Sequence, residues 1–294
     1  MSTPVSLPVL LAADSVTRRF GEVTAVLDVS MTVAAGEVVG LLGANGAGKT
    51  TLIRMLLGLL PVTAGEVRLL GGPPDRQRRR RLGYVSQGLG LYTDLTVTEN
   101  LAFVARIYGA PVPPLPPALA AHADRLVADV SLGLQRQLAF TCALLHTPDV
   151  LVLDEPTSGV DALARADLWD TIREQAAAGV GALVTTHYMQ EAQQCDRLLL
   201  MSEGSLVAHG SEADIIAGTT AVEVQAEDWS AAFAALESAG EPVTLAGRSV
   251  RVADADAHGI AATLAAAGVT AHVRSVPATI EERMTVLARA SNHP

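Results

Sequence analysis

Cysteine, lysine and long apolar stretches are all scarce in this sequence of 294 residues. Only Cys142 and Cys195 are present, far apart, so we expect neither a disulfide framework nor a cysteine metal site. The longest apolar runs, such as Val38–Leu42 and Val150–Leu153, are far shorter than the ~20 residues of a membrane-spanning helix. No Lys or Arg precedes the apolar residues near the N-terminus, which disfavours a secretion signal. A cytoplasmic location is therefore expected.

Positive charge is also in short supply. The chain carries 21 Lys and Arg against 31 Asp and Glu, which gives a net charge of −10. Proteins that bind nucleic acid irrespective of its sequence normally present a basic field, so no nucleic-acid partner is expected. A hydrophobic content of 49% with 18% charged residues indicates a packed globular protein, and the length fits one large domain plus a smaller one.

The single lysine occupies an informative position. Of the 21 basic residues, 20 are Arg and one is Lys49. A base bias in the source genome would explain the abundance of arginine, but it would not choose where the one lysine lies. Lys49 belongs to the run Gly43-Ala-Asn-Gly-Ala-Gly-Lys-Thr50, which matches the phosphate-binding pattern G-x-x-x-x-G-K-[ST]. This position indicates a chemical need for an ammonium group.

The surroundings of this run support a phosphate-binding loop. Val38–Leu42 predicts a strand buried on both faces, and Thr50–Leu60 predicts a helix that ends before Pro61. Glycines allow successive N–H groups to converge on phosphate oxygens, and the helix N-terminus adds partial positive charge. We expect Lys49 to reach the β- and γ-phosphates of ATP and the Thr50 hydroxyl to bind Mg²⁺. The predicted nucleotide-binding residues are Gly43, Ala44, Asn45, Gly46, Ala47, Gly48, Lys49, Thr50 and Thr51.

A second apolar strand delivers two consecutive carboxylates at its end, in the segment Val150–Glu155. Asp154 is placed to hold Mg²⁺, directly or through water. Glu155 would then face the γ-phosphate and polarise the attacking water as a general base. The alternative is a capping pair on a turn, which the following Pro156–Asp161 segment disfavours.

Alternation of predicted strands and helices indicates an α/β fold with parallel strands. Five prolines between Gly109 and Pro117 exclude a helix interior there, and helices are predicted over Leu119–Val130 and Leu134–Leu145. Beyond Gly218 the predicted order becomes βαββαβ with a further helix, the pattern of a ferredoxin-like module. We therefore expect one domain over residues 9–218 and a small C-terminal α+β accessory domain over residues 219–294.

These motifs together resemble the ATP-binding cassette (ABC) ATPases, over roughly residues 9–218. The motifs that carry the resemblance are, in chain order, Gly43–Thr50, Gln87, Ser131–Gly133, Asp154–Glu155, Ser158–Asp161 and His187. The resemblance implies a P-loop NTPase cassette with an antiparallel β subdomain and a helical subdomain. The segment between Gln87 and Ser131 is shorter than the family usually has, so a shortened helical subdomain is expected.

The resemblance also implies roles for residues around the nucleotide. Phe20 is similar to the aromatic residue that stacks on adenine. Gln87 is similar to the glutamine that reaches Mg²⁺ and the attacking water. His187 is similar to the switch histidine that contacts the γ-phosphate and Glu155.

Three further residues imply a partner subunit. Ser131 and Gly133 resemble the signature motif, which in the family binds the ATP of the opposite subunit, although Leu132 departs from the usual glycine. Asp161 resembles the aspartate that crosses the dimer interface. The resemblance therefore implies a head-to-tail homodimer with two ATPs between its subunits.

Several segments are similar to those of ABC-2 type exporters, including daunorubicin-resistance-like drug exporters. They are residues 144–148, 155–163, 185–189, 195–197 and 276–281. The similarity implies an ATP-hydrolysing subunit that powers a separate membrane permease and lies on the inner face of the cell membrane through it. Two alternatives remain open at this point: a regulatory ABC protein with weak or no turnover, and a soluble ABC ATPase that does not serve transport. No residue identifies the cargo.

Overall fold

The computed structural model describes residues 7–186 and 189–291, and the chain divides between Ala208 and His209 into two compact units. The strands up to this boundary are β1 Val9–Phe20, β2 Val23–Ala34, β3 Val38–Leu42, β4 Ala64–Leu69, β5 Leu82–Val85, β6 Val150–Asp154, β7 Gly181–Thr186, β8 Arg197–Ser202 and β9 Ser205–Gly210. The helices of this unit are α1 Lys49–Leu56, α2 Arg76–Arg79, α3 Val97–Tyr108, α4 Pro117–Ala120, α5 Leu132–Leu144, α6 Ala162–Ala177 and α7 Met189–Ala192. None of the helices in the described segments is both long and apolar enough to traverse a bilayer.

Two sheets build the first unit. A three-stranded antiparallel sheet has the order β2-β1-β4, and a six-stranded sheet has the order β5-β6-β7-β3-β8-β9. Strands β5, β6, β7, β3 and β8 run parallel. Along β6, Val150 and Val152 pack into one apolar cluster and Leu151 and Leu153 into another, because successive side chains point to opposite faces. The continuous apolar run of β6 is thus explained by burial on both faces.

The strand order brings three carboxyl ends together. Strand β7 lies between β6 and β3, with Asp154 paired to Thr185 and Leu42 paired to Thr186. The glycine-rich loop that follows β3 and the carboxylates that end β6 therefore meet at one edge of the sheet. Crevices at this edge of open α/β sheets are the usual place for ligands.

The predicted helix over Leu119–Val130 is wrong. Only the single turn α4 and a 3₁₀ turn at Val127–Asp129 form there. The carbonyl oxygens of Ala123 and Arg125 accept hydrogen bonds from the N–H groups of Thr98 and Val97 in the first turn of α3. The N–H groups in the first turn of α3 have no acceptors within their own helix. Because the carbonyl oxygens of Ala123 and Arg125 bind these N–H groups, they are not available for hydrogen bonds within a helix over Leu119–Val130.

Other differences from the sequence-based prediction are small. Helix α1 ends at Leu56 rather than at Leu60, because Gly58 adopts a left-handed conformation with φ 66°. Helix α5 begins at Leu132, two residues earlier than predicted, directly after its cap Ser131. Strands β8 and β9 were not predicted.

The second unit combines one antiparallel sheet with helices. Its elements are α8 Glu212–Ile216, β10 Thr220–Ala226, α9 Trp229–Ser238, β11 Val243–Ala246, β12 Ser249–Ala253, α10 Ala257–Ala266, β13 Ala271–Pro277 and α11 Ile280–Ser291. The strand order is β11-β12-β10-β13. Val222, Val224, Val250 and Val252 build an apolar cluster on one face of the sheet, so the alternating Arg251 belongs to the opposite face.

A buried ion pair joins this opposite face to helix α11. The Arg251 guanidinium donates to both carboxylate oxygens of Glu282, at 2.5 and 3.1 Å, and Glu282 is only 1% exposed. Burial by itself would raise the pKa of the Glu282 carboxyl, but hydrogen bonds from Arg251 and from the Thr279 N–H outweigh burial and lower it. The pair therefore fixes α11 against β12.

Replacing one member of this pair should destabilise the second unit. We expect Glu282→Ala to lower its free energy of unfolding by about 3 kcal/mol, because Arg251 keeps its charge but loses its carboxylate partner. Urea unfolding followed by Trp229 fluorescence, in a Trp169→Phe background, measures the change. The matched control is Glu281→Ala at the neighbouring exposed position. Equal effects of the two substitutions would contradict this account.

Candidate active site

The glycine-rich loop Gly43–Gly48 connects β3 to α1. Gly48 caps the helix in a left-handed conformation with φ 99°, and a Cβ atom there would lie 2.5 Å from the carbonyl oxygen of Ala25. Gly46 also has a left-handed φ of 85°. These conformations require glycine, and they leave Lys49 as the first residue of the helix. Thr50 and Thr51 follow in its first turn, where backbone N–H groups lack partners within the helix.

The ammonium group of Lys49 folds over its own loop. Its Nζ donates to the carbonyl oxygens of Gly43 at 2.7 Å and Ala44 at 3.1 Å, and the residue is only 6% exposed. Burial lowers the pKa of this ammonium, and the negative charges of Glu155 and Asp154 act in the opposite direction. The loop thus places one cation beside the two carboxylates at the end of β6.

The Asp154 carboxylate accepts hydrogen bonds from hydroxyl groups on two other elements, β7 and α1. Its Oδ1 accepts from Thr185 Oγ1 at 2.7 Å, and its Oδ2 accepts a long contact from Thr50 Oγ1 at 3.4 Å. A carboxylate and a hydroxyl oxygen at one point are ligands that suit Mg²⁺. Within residues 7–186 and 189–291 no group of three His, Cys, Asp or Glu side chains could hold a metal. A cation here would need phosphate oxygens as well, which is how Mg²⁺ is usually held beside nucleotides.

Glu155 is held in an uncommon backbone conformation, with φ 53°. Its N–H donates to Thr185 Oγ1 at 2.8 Å, and its carbonyl oxygen accepts from the Arg136 guanidinium at 2.8 Å. The carboxylate accepts a long hydrogen bond from Gln87 Nε2 at 3.5 Å. Left-handed residues other than glycine cluster at functional sites, where surrounding contacts hold them. Thr185 and Arg136 hold Glu155 in this conformation through its N–H group and its carbonyl oxygen.

Phe20 lies outside this group, at the exposed end of β1. Its side chain is 47% exposed, and the Arg18 guanidinium lies 4.5 Å from the ring centroid. Arg18 therefore covers one face of the ring, while nearly half of the side chain remains exposed. His187 lies outside the described residues.

The predicted partner-facing residues are held by their own helices. Ser131 caps α5, with its Oγ accepting from the Leu134 N–H at 3.4 Å. The Oδ1 of Asp161 accepts from the N–H groups of Leu163 and Ala164 and so caps α6. A Cβ atom on Gly133 would meet nothing within 4 Å. The fold itself therefore places no steric demand for glycine at that position.

Two residues of the site were missed in the sequence. Thr185 binds Asp154 and the N–H of Glu155 at once, and Arg136 holds the carbonyl oxygen of Glu155. A polar residue at the end of the apolar run Ala182–Val184 was a signal for Thr185. Arg136 lies in Gln135–Gln137, shortly after the cap Ser131. The signal for it was that it is the one charged residue of α5, which is otherwise largely apolar.

A parallel sheet whose edge brings a glycine-rich loop and its lysine against two consecutive carboxylates defines a P-loop nucleotide-binding cassette. Residues 26–158 match the family described as ABC transporter. The chain is 44% identical over 224 residues to the Nod factor export ATP-binding protein I of Paraburkholderia xenovorans (strain LB400), covering 72% of this chain and 74% of that protein. The chain belongs to the ATP-binding proteins of ABC transporters.

Two further comparisons agree with this assignment. The probable multidrug ABC transporter ATP-binding protein YbhF of Escherichia coli (strain K12) is 39% identical over 218 residues. That match covers 70% of this chain but only 38% of YbhF, so the chain corresponds to well under half of that relative's length. A solved ATP-binding subunit of an ABC transporter superposes with a TM-score of 0.66 at 31% identity, covering 70% of this chain and 91% of that one.

Removing the ammonium group should weaken nucleotide binding. We expect Lys49→Ala to reduce the affinity for ATP roughly 10- to 100-fold, the usual effect of losing a charged hydrogen-bond donor. Titration with a fluorescent ATP analogue measures the dissociation constant. Arg54→Ala is the control, since it removes a cation from an exposed position of the same helix. Unchanged binding by the Lys49 variant would refute its contact with phosphate.

Proposed function

We propose that this chain binds and hydrolyses ATP to power a separate membrane permease, within the ABC-2 branch of exporters. The observation that carries the proposal is the contact of Thr50, the residue after Lys49, with Asp154, together with the hydrogen bonds of Thr185 on β7 to Asp154 and to the N–H of Glu155. The names of relatives in Paraburkholderia and Escherichia coli refer to Nod factor export and to multidrug transport. Export is therefore the direction that we assign.

Phosphate binding follows from the loop geometry. Lys49 would exchange its two carbonyl acceptors, on Gly43 and Ala44, for oxygens of the β- and γ-phosphates. Charge-assisted bonds to phosphate are stronger than bonds to neutral carbonyl groups, so this exchange favours the bound nucleotide. The N–H groups at the start of α1 would complete the cradle, and the adenine would stack on the exposed ring of Phe20.

A magnesium ion accompanies the nucleotide in this proposal. Thr50, Asp154 and Gln87 would hold it, with the remaining ligands supplied by phosphate and water. Bound there, Mg²⁺ would neutralise negative charge on the phosphates. The hydrogen bond from Thr185 keeps Asp154 turned towards Thr50, so the two oxygens remain together.

Glu155 is the general base for hydrolysis. Its carboxylate would accept a proton from a water molecule while the water oxygen forms a bond to the γ-phosphorus. The bond between that phosphorus and the oxygen bridging to the β-phosphate breaks, which releases phosphate and ADP. Thr185 and Arg136 fix the backbone on either side of Glu155, and Gln87 and His187 would orient the attacking water and the γ-phosphate.

A second copy of the chain completes the site. Ser131 and Gly133 at the start of α5 would bind the ATP held by the opposite subunit, and Asp161 would lie at the same interface. The lack of any steric need for glycine at Gly133 supports this, because an approaching molecule explains the small residue. Loss of the γ-phosphate on hydrolysis would then loosen a head-to-tail homodimer.

The remaining assignments concern the whole molecule. We assign residues 9–218 to the ATP-binding domain and 219–294 to an accessory domain of ferredoxin-like type, supported by the antiparallel strand order β11-β12-β10-β13. This boundary lies ten residues beyond the division between the two compact units at Ala208–His209, so it counts α8 with the ATP-binding domain. The short α4 and the loop before it represent the shortened helical subdomain. Association with the permease would hold the protein at the inner face of the cell membrane.

Replacing the proposed base tests the function directly. We expect Glu155→Gln to lower the rate of ATP hydrolysis at least about 100-fold, the lower range for a general base. Nucleotide affinity should change little, because the amide keeps the shape of the side chain. Phosphate release measures the rate, and Glu174→Gln at an exposed position of α6 is the control. An unimpaired Glu155 variant would contradict the base assignment, and an inactive parent chain would favour the regulatory alternative.

The partner-facing glycine can be tested separately. We expect Gly133→Ala to reduce ATP-dependent dimerisation while the melting temperature stays the same or rises, since alanine is the better helix former by up to ~1 kcal/mol. Light scattering after size exclusion with Mg²⁺ and ATP gives the mass. Gly259→Ala is the matched control, because that glycine also lies in a helix with room for a Cβ atom. Normal dimerisation of the Gly133 variant would count against the head-to-tail arrangement.

A further inference from the structure

A cavity of about 580 Å³ lies between helices α5 and α6 and the proline-rich segment before α4. Sites for small organic ligands commonly enclose ~300 to 1,000 Å³, so the cavity has a suitable size. Neither the phosphate loop nor the Asp154–Glu155 pair lines it, whereas Ser131, Gly133 and Asp161 do, so the cavity borders the surface proposed to meet a second subunit.

The walls of the cavity are largely apolar and stiff. Phe140 and Leu168, 4% and 5% exposed, lie at the facing surfaces of α5 and α6. The third wall comes from Pro113, Pro114 and Pro116. A proline ring fixes φ, so this segment keeps its shape without helical hydrogen bonds. The cavity is therefore a preformed feature, as expected of a ligand site.

The polar groups of the cavity favour positive charge. Two carboxylates line it, those of Asp161 and Asp167, and no Lys, Arg or His is among the lining residues that the structure describes. The hydroxyl groups of Thr141 and Thr171 donate to carbonyl oxygens of their own helices, at 2.8 and 2.9 Å. Because their hydrogens are already donated, these two hydroxyl groups can offer a ligand only their oxygen atoms, as hydrogen-bond acceptors.

The two carboxylates differ in how much negative charge each can present to a ligand. Asp161 uses Oδ1 to cap α6, where the partial positive charge of the helix end offsets its own. Asp167 is exposed on the side of α6 that borders the cavity. Phe140 lines the same cavity, and the face of an aromatic ring attracts positive charge.

We propose that this cavity binds an apolar organic cation, with Asp167 as its counter-ion and Phe140, Leu168 and the prolines as its apolar walls. The proposal stands on the cavity alone and does not depend on ATP hydrolysis. Binding can therefore be measured without nucleotide, and its outcome is independent of the proposed transport function.

Tetraphenylphosphonium is a suitable probe, because tetraphenylborate has nearly the same size and shape with the opposite charge. Equilibrium dialysis of the full chain against each ion measures binding. We expect saturable binding of the phosphonium and at least tenfold weaker binding of the borate. Equal binding of both ions, tighter binding of the borate, or no saturable binding of the phosphonium would overturn the proposal.

Substitutions locate the site. Asp167→Asn should weaken phosphonium binding about fivefold, as expected for a partly exposed charge pair. Asp170→Asn is the matched control, since it removes the same charge from an exposed position of α6 that does not line the cavity. Equal effects of the two substitutions would show attraction to the acidic protein as a whole and overturn the assignment.

Filling the cavity provides a test that does not rely on charge. Ala164→Trp should abolish saturable binding by occupying the space between the helices. Thr171→Arg is a second variant at a half-buried position, and its guanidinium should repel the probe. Thermal melting identifies any variant that fails to fold, and the other variant then decides the question. Binding that survives in a folded variant would contradict the proposed location.

Discussion

The pairing of Asp154 with the Thr185 hydroxyl holds the nucleotide site together. This hydroxyl donates to the carboxylate at 2.7 Å and accepts from the N–H of Glu155 at 2.8 Å, so one side chain of β7 positions both acidic residues of β6. It can do so because β6 and β7 are parallel neighbours in register. The same strand separates β6 from β3, so the lysine loop approaches the carboxylates from the other side. A shift in register of β7 would disconnect all three.

The local parts of the site could be predicted from the sequence, while its tertiary parts could not. Strand β3, the glycine loop and α1 are consecutive, so a local pattern predicts all three, although it placed the end of α1 at Leu60 instead of Leu56. The contacts of Thr185 and Arg136 join residues distant in the chain, which no local pattern specifies. The prediction of a helix over Leu119–Val130 was wrong for a related reason. Apolar residues do recur there at helical spacing, but carbonyl oxygens of the segment accept hydrogen bonds from the first turn of α3. Tertiary hydrogen bonds outweighed local propensity there.

The structural need for glycine differs between two positions of this chain, Gly48 and Gly133. At Gly48 the backbone is left-handed and a Cβ atom would collide with Ala25, so the fold itself requires the residue. At Gly133 neither reason applies, so the fold itself does not require glycine there, and the proposed contact with a second subunit would account for the small residue. The comparison separates a glycine that the folded chain needs from one that the folded chain does not need.

The solitary lysine has a consequence beyond phosphate binding. Lys49 is the only lysine side chain in this sequence, so any modification of a lysine side chain, such as acylation or coupling to a dye, takes place there. That amine is almost buried and engaged by two carbonyl oxygens, so such reagents would reach it only when the loop opens. Its rate of labelling would therefore report on the state of the loop without any engineered probe.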